Sequence, residues 1–371
     1  MKKPVLIVCL ALLASCETLH FYGQAIGGQL GILTKRRDIQ SLIEDPATDS
    51  ELRTRLQNIL AIREFAETEL SLPVADNFST YVDTGRPFVV WNVFAAPEFS
   101  LDAQSWCYPV AGCVTYRGYF NQDNAQRFAD TLKDEGLDVY VGGVAAYSTL
   151  GWFSDSVLNT VIYRDNYRLA ALIFHELAHQ VVYIPGDTEF NESFATAVEL
   201  EGLRRWLIAE GDSARADMLV AQASLDKQRR AEFVDLVQSI VPDLQSLYAS
   251  RLDIEAMRTE KARLFDELRD RYEVLKKGWN GDDAYDGWFA SDINNAKINT
   301  VGTYFNRVPA FDAILAETNH DLPAFYQRVK SLSEQPETQR RQTLDTLAGG
   351  HSGPVLESAS ITTPNTQEQT P

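Results

Sequence analysis

Residues 167–199 read YRLAALIFHELAHQVVYIPGDTEFNESFATAVE, and His175, Glu176 and His179 form an H-E-x-x-H sequence within them. On a helix, residues i and i+4 share one face, so the two imidazoles point the same way about one turn apart. Two neutral imidazoles on one face can occupy two corners of a zinc tetrahedron. Glu176 then lies beside the metal, where it can take a proton from a metal-bound water. The spacing therefore predicts a zinc site.

The residues around this motif predict a buried helix. Residues 169–174 are apolar, and so are Leu177, Ala178, Val181 and Val182. A helix that is apolar on all sides lies in a core, where polar side chains cost desolvation free energy unless something binds them. The alternative interpretation is a helix whose two histidines make ordinary hydrogen bonds. The chain has 5 histidines, and two of them flank a glutamate at ligand spacing, which favours the metal site.

The downstream segment FNESFA, residues 190–195, contains the candidate third ligand. It resembles the Asn-Glu-x-x-Ala segment of gluzincins, the thermolysin and alanyl-aminopeptidase group, and the resemblance implies that Glu192 binds the metal. Only 12 residues separate Glu192 from His179, fewer than in those families, and this leaves Glu199, at 19, as a rival ligand. Glu199 lies two helical turns beyond Glu192 and also suits a carboxylate that orients a ligand histidine. A solvated surface acid is the other interpretation of Glu199.

The N-terminus predicts an exported, lipid-anchored protein. Lys2 and Lys3 precede a short apolar run that cannot span a bilayer as a helix. Residues 13–16, LASC, resemble a bacterial lipobox, which implies a signal peptide over residues 1–15 and a lipid on Cys16. An ordinary signal peptide with an incidental cysteine is the alternative. Because Glu17 rather than an aspartate follows, we expect an outer-membrane anchor that faces the periplasm.

Composition narrows the possible partners. The net charge of −18 argues against nucleic-acid binding and against electrostatic attraction to anionic lipid. Cys107 and Cys113 bracket a short loop, which in an oxidising compartment predicts a disulfide, with a metal-binding pair as the alternative. Nothing in the sequence indicates an oligomeric state.

The hydrophobic pattern predicts an α+β fold, and a small sheet placed before the H-E-x-x-H helix resembles the core of zincin-type peptidases, which implies a zincin-like core. The catalytic domain should cover residues 16–345, β-rich to about residue 160 and mostly helical over 161–345, followed by a disordered tail over 346–371. Predicted elements are helices over 36–43, 49–70, 122–135, 214–239 and 244–277 and strands over 86–94, 113–120 and 138–144.

Two further stretches are unusual. Residues 141–153, VGGVAAYSTLGWF, are the last β-like stretch before the motif helix. The resemblance to zincin-type peptidases implies that this stretch is an edge strand that pairs with extended peptide. An ordinary core strand and loop is the alternative. Residues 288–311 are rich in asparagine, aromatic and small residues for a plain helix.

Taken together, the chain resembles a bacterial family of predicted zinc aminopeptidases, many of them lipoproteins. The likeness runs from about residue 22 to residue 332. It rests on the stretches YGQAIGGQLGIL, VVWNVFAAPEFS, WCYPVAGCVTYRGYF, DVYVGGVAAYSTLGWF, FHELAHQ, FNESFA and TYFNRVPAF. The resemblance implies an amino-terminal exopeptidase rather than an endopeptidase, a distinction that spacing alone does not make.

The expected mechanism follows from the zinc site and the resemblance. Zinc on His175, His179 and Glu192 activates a water, and Glu176 takes its proton and passes it to the leaving amine. Gluzincin aminopeptidases stabilise the oxyanion with a downstream tyrosine. The candidates here are Tyr304, which could also be a core aromatic residue, and Arg307. An aminopeptidase also needs an acid for the substrate's ammonium group, for which Asp155 and Glu189 are candidates by position.

Two other functions compete with a zinc aminopeptidase acting on peptides in the cell envelope. One is a zinc endopeptidase that cleaves envelope proteins. The other is a non-catalytic lipoprotein stabilised by zinc. Glu176 argues against the last, because a structural site needs no base and usually has four protein ligands.

Overall fold

The computed structural model describes residues 21–108, 112–145, 154–211, 213–301 and 307–348. Within them the protein has a mixed α+β fold in which helices predominate. The strands are β1 (Arg37–Asp38), β2 (Thr80–Val82), β3 (Val90–Pro97), β4 (Trp106–Tyr108), β5 (Gly112–Val114), β6 (Arg117–Tyr119), β7 (Leu137–Val144) and β8 (Val157–Leu158).

The helices follow the chain from α1 to α15. They are α1 (21–34), α2 (Ile39–Glu44), α3 (Ser50–Thr68), α4 (Gln122–Asp134), α5 (Asn159–Ile162), α6 (Asn166–Ala178), α7 (Thr188–Ala209), α8 (Ser213–Gln238), α9 (Val241–Tyr248), α10 (Ile254–Gly278), α11 (Asp286–Ala290), α12 (Asn295–Ile298), α13 (Val308–Glu317), α14 (Leu322–Ser333) and α15 (Glu337–Leu347). No helix in the described ranges is long and apolar enough to cross a bilayer.

The strands form three small sheets. One has the order β1-β2-β8, the second has the order β6-β3-β7, and β4 pairs with β5. In the second sheet β7 runs antiparallel to β3, from Val90 opposite Val144 to Pro97 opposite Leu137. Among the described strands β7 is therefore at an edge. The first four residues of the proposed substrate strand, 141–144, belong to it, whereas residues 146–153 lie outside the described part of the chain.

One predicted strand is wrong. Residues 113–120 form two strands with different partners, because β5 pairs with β4 while β6 pairs with β3. At β6, Gly118 lies opposite Asn92, and a Cβ on Gly118 would come within 3.2 Å of Asn92 Oδ1. A run of β-forming residues shows strand propensity but not where the pairing partner changes.

Most helix predictions are confirmed in outline, but the helix predicted over 36–43 begins only at Ile39, because residues 37–38 pair with β2 as strand β1. Asp49 caps α3 as expected, its carboxylate accepting hydrogen bonds from the backbone N–H groups of Glu51 and Leu52 at 2.9 and 3.2 Å. The helix predicted over 244–277 is interrupted between Tyr248 and Ile254 and becomes α9 and α10.

The motif helix α6 lies in the largest hydrophobic core, which also includes side chains from α3, α7, α13 and α14. Phe174 is fully buried there. α7 approaches α6 closely at Gly202, where a Cβ would lie 2.8 Å from the Phe174 ring. The site described next is held between these two helices. A second core is built from α8 to α12.

Candidate metal centre

His175 of α6 and His179, the residue that follows α6, face the same carboxylate of α7. His175 and His179 lie with their ring centroids 4.9 Å apart and their planes at 85°. Glu192 Oε2 lies 3.3 Å from His175 Nε2, and Glu192 Oε1 lies 3.6 Å from His179 Nε2. Both histidine side chains are nearly buried, at 11% and 6% exposed, while that of Glu192 is 40% exposed. One potential ligand atom of each of the three residues therefore lies near the same partly exposed point.

The neighbouring asparagine explains how Glu192 is positioned. Asn191 Nδ2 donates to the carbonyl oxygen of Ile184, and Asn191 Oδ1 accepts from the N–H of the same residue, both at 2.8 Å. Asp187 caps α7 by accepting from the N–H of Phe190 at 3.1 Å. These bonds fix the turn between the helices at the start of α7. In the Asn-Glu pair, the asparagine holds the turn and the glutamate reaches the histidines.

The three donors lie close enough together to bind one metal ion. The edge of a tetrahedron is about 1.6 times the metal–ligand distance, so zinc–ligand distances of about 2.0–2.1 Å require donors about 3.3–3.4 Å apart. Each histidine nitrogen lies at about that distance from a different oxygen of Glu192, His175 Nε2 at 3.3 Å from Oε2 and His179 Nε2 at 3.6 Å from Oε1. Ligand atoms of His175, His179 and Glu192 all lie within 4.8 Å of one another, and they form a possible metal-binding triad. Two imidazoles and one carboxylate also form a donor set that zinc accepts.

Glu199 contacts the other nitrogen of His175. Its Oε2 lies 3.1 Å from Nδ1, so it approaches the ring from the side opposite Glu192. Lys227 of α8 lies behind it, with Nζ 3.5 Å from Glu199 Oε1. Burial acts against ionisation of Glu199, but Lys227 and His175 together lower the pKa of its carboxyl. Glu199 is thus placed to orient the His175 ring through Nδ1, so that Nε2 faces Glu192.

The surroundings favour a cation between these acids. Burial disfavours the charged ring, but hydrogen bonds with Glu192 and Glu199 outweigh it and raise the pKa of His175 to about 10. Burial and the neighbouring charge on His175 lower the pKa of His179 to about 4. A metal that takes Nε2 of His175 must therefore displace a proton near neutral pH.

The acids proposed for the substrate's ammonium group occupy different places. Asp155 lines a pocket that also includes Glu176. Glu189 lies 2.8 Å from Nε of Arg307, which also pairs with Asp345 at 2.7 Å. The guanidinium that was the alternative oxyanion donor thus makes two ion pairs. This arrangement favours a structural role for both Arg307 and Glu189.

Of the remaining predicted residues, the two cysteines Cys107 and Cys113 lie in the described part of the chain, and the other two do not. A disulfide joins Cys107 and Cys113 across the β4–β5 pair. Tyr304 and Cys16 lie outside the described residues, as does the chain after residue 348.

Two residues near the triad were missed. The Tyr183 ring lies with its centroid 6.0 Å from that of His179, and burial together with the charge of Glu192 raises the pKa of its phenol. It follows His179 by four residues, but α6 ends at Ala178, so nearness in the sequence and not helical spacing was the available signal. Lys227 had no comparable signal, because it reaches Glu199 from a different helix.

Comparison with known proteins identifies a family for the chain. Neither the curated proteins nor the solved structures contain a match to the chain. The model of the family described as "Putative aminopeptidase" matches residues 20–344, which is most of the chain, and the protein belongs to that family.

Proposed function

We propose that the protein is a zinc-dependent aminopeptidase with a zincin-like core of the gluzincin type. The observation that carries this proposal is the position of Glu192, whose carboxylate lies between Nε2 of His175 and Nε2 of His179 while Glu176 follows His175 on the same helix. Family membership supports a peptidase that acts at amino termini. Bound zinc would supply Lewis-acid chemistry, polarising a peptide carbonyl and lowering the pKa of a water.

The residues of the chain perform the proton transfers. Glu176 accepts a proton from the attacking water and then donates it to the nitrogen of the leaving amine, so Glu176 is ionised again when the reaction ends. Glu199 holds the His175 ring through Nδ1. A phenol is the proposed donor to the developing oxyanion, from Tyr304 or from Tyr183 beside His179.

Cleavage of a peptide library tests this function. The full chain, solubilised in detergent, should remove single residues from free amino termini and leave amino-acetylated peptides intact, as read by mass spectrometry. Chelation should abolish cleavage, and added zinc should restore it. Cleavage within acetylated peptides at comparable rates would favour the endopeptidase, and no cleavage at any zinc concentration would favour the non-catalytic alternative.

We also propose that the protein is anchored through a lipid on Cys16 to the outer membrane, facing the periplasm. The LASC sequence and the following Glu17 support this location. Cys16→Ser should release the protein from the membrane fraction or leave an uncleaved precursor. A mature N-terminus at another residue, determined by mass spectrometry, would contradict the anchor.

A further inference from the structure

Helix α1 packs on the rest of the domain through one face. Gln24 Nε2 donates to the carbonyl oxygen of Gly118 at 3.1 Å, and Gln24 Oε1 accepts from the N–H of Phe120, also at 3.1 Å. A Cβ on Gly28 would lie 2.1 Å from the Phe120 ring, so the backbone of α1 lies directly against that ring. Ile32, on the same side, is 6% exposed. The inner face of α1 is therefore fixed to the folded domain.

The opposite face of α1 is apolar and exposed. Ile26 and Leu30 are 59% and 53% exposed, and because they are four residues apart they lie on one side of the helix. A Cβ added at Gly23 or Gly27 would meet no atom of the described residues within 4 Å. No residue over 21–34 carries a charge. A helix on the surface of a domain usually carries charged side chains on its outward face, so this face is unusual for one in contact with water.

Exposure of one apolar side chain is common on protein surfaces and would not be informative by itself. Val274 of α10 is 69% exposed, but Glu273, Lys276 and Lys277 are its neighbours in the sequence. In α1 the exposed apolar side chains adjoin one another, and the next charged residue along the chain is Lys35, just after the helix. The outer face of α1 thus fits an apolar partner, whereas the surroundings of Val274 fit water.

The position of α1 in the chain indicates which partner this is. Four residues separate Cys16, the proposed site of the lipid, from Phe21 at the start of α1. The five Cα–Cα steps from Cys16 to Phe21 span at most about 18 Å. Ile26 lies about 7.5 Å further along the helix and Leu30 about 13.5 Å. A lipid on Cys16 would therefore keep the outer face of α1 close to the bilayer surface.

We propose that the outer face of α1 lies in the surface of the lipid bilayer, with Ile26 and Leu30 among the acyl chains. The inference rests on the proposed anchor at Cys16 and not on the proposed peptidase activity. Over residues 21–34 the helix is about 21 Å long, shorter than the apolar thickness of about 30 Å, so it lies along the surface. A lipid anchor alone leaves the domain free to turn, whereas a docked α1 fixes which side of the domain faces the bilayer.

Apolar contact, and not charge, should hold the helix in place. The net charge of −18 gives the whole chain no attraction to anionic lipid. Burial of apolar side chains in the interface does not depend on charged headgroups. The contact should therefore form on vesicles of neutral phosphatidylcholine and persist when salt is added.

Fluorescent labels at single cysteines measure this contact. The full chain with Ile26→Cys or Val274→Cys, labelled with a nitrobenzoxadiazole group, is reconstituted from detergent into phosphatidylcholine vesicles. Labelled wild-type protein corrects for label on the native cysteines. The label at residue 26 should be protected from iodide in the water and quenched by brominated acyl chains, at a depth of about 5–10 Å in the interface. The label at residue 274, the matched control, should be open to iodide and unaffected by bromine.

Each outcome decides the inference independently of the other proposals. Quenching of the label at residue 26 by brominated lipid supports the contact, even if the protein cleaves no peptide or Cys16 carries no lipid. Iodide access at residue 26 equal to that at residue 274 overturns it, whichever N-terminus mass spectrometry finds. Protection from iodide without quenching by brominated lipid also overturns it, because a second copy or another segment of the chain would then cover this face.

A charged substitution tests the apolar contact with the label kept in place. Leu30→Cys carries the label, and Ile26→Glu is combined with it. Since Ile26 is exposed, the fold should persist, which circular dichroism verifies. Ile26→Glu should expose the label at residue 30 to iodide and abolish its quenching by brominated lipid, whereas Ile26→Val, the matched control, should change neither. Unchanged quenching in the Ile26→Glu variant would show that this face does not hold the helix at the bilayer and would overturn the inference.

Discussion

Two groups of polar residues in this protein, each wholly or partly buried, are built differently. The first is the metal cluster, defined as His175, His179, Glu192 and Glu199. The second is the asparagine cluster, defined as Asn294, Asn295 and Asn299. Asn295 is fully buried, and its Nδ2 lies 3.0 Å from the carbonyl oxygens of Pro97, Glu98 and Ser100. Its Oδ1 accepts from the Tyr248 hydroxyl at 2.7 Å. The side-chain amide is thus bonded on both its donor and its acceptor sides.

The metal cluster lacks this saturation. Two carboxylates approach the single ring of His175, and burial leaves Nδ1 of His179 without a hydrogen-bond partner among the described residues. Buried polar groups are nearly always bonded in folded proteins, so an exception calls for a functional explanation. The asparagine cluster thus joins segments of the fold through satisfied hydrogen bonds, whereas in the metal cluster two acids converge on one histidine ring, as the proposed metal site requires.

Substitution of the proposed base, Glu176, should give the largest loss of activity among the variants that keep the metal cluster intact. Glu176→Gln should keep fold and zinc content, because an amide occupies nearly the same space as a carboxylate. It cannot accept a proton at neutral pH, so kcat should fall by about 10²–10⁴-fold while KM changes much less. Steady-state kinetics with elemental analysis measures both. Retention of more than about a tenth of the wild-type kcat would contradict a base role of that size.

Substitutions in the asparagine cluster should lower the free energy of unfolding and leave the metal cluster unchanged. Asn295→Ala leaves buried carbonyl oxygens without their donor and should lower the free energy of unfolding by about 2–4 kcal/mol. Asn299→Ala is the control. It removes one hydrogen bond of 3.0 Å, to the carbonyl oxygen of Leu101, and should cost about 0.5–1.5 kcal/mol. Urea unfolding measures both changes. Zinc content per folded molecule should stay constant, and loss of zinc in Asn295→Ala would remove the distinction between the clusters.

Within the metal cluster, the two glutamates should differ. Glu192→Ala removes a proposed ligand and should lower zinc affinity far more than Glu199→Ala, for which a loss of about 10–100-fold is expected. Competition with a chromogenic chelator gives both affinities. The reverse order would make Glu199 the ligand, despite its contact with Nδ1 rather than Nε2 of His175.

Local signals in the sequence predicted much of this site. The H-E-x-x-H spacing depends on one helix, and FNESFA lies at the start of the next, so His175, His179 and Glu192 come together through a single turn. Asp49 as the start of α3 is likewise a local signal. Predictions succeed here because each depends on residues close in sequence.

Other features depend on contacts between distant parts of the chain. The asparagine-rich stretch 288–311 was recognisable as unusual, but its partners lie around residues 97–101. The division of residues 113–120 into two strands depends on which earlier strand each half pairs with. Lys227 reaches Glu199 from a separate helix. One sequence contains no signal for such pairings, since many residues of the same type could make them.

Lys227 gives the smallest expected effect and the sharpest test of the contrast between the clusters. It forms an ion pair with Glu199 of the metal cluster, yet it is not a proposed ligand. Lys227→Met removes a partly buried ion pair, with side chains 25% and 17% exposed, and should lower the free energy of unfolding by roughly 0.2–1 kcal/mol. Lys227→Arg, which keeps the charge, should recover most of that loss.

Zinc affinity separates the possible roles of Lys227. Removing a cation near the site reduces repulsion of a metal ion, and His175, which also lowers the pKa of Glu199, should keep that carboxylate ionised and in contact with Nδ1. Lys227→Met should therefore bind zinc at least as tightly as the wild type, unlike Glu199→Ala. If Lys227→Met loses zinc affinity as strongly as Glu199→Ala, the lysine is needed to position that carboxylate. The metal cluster would then include Lys227 of α8, because zinc binding would depend on the lysine that positions Glu199 as well as on the ligands.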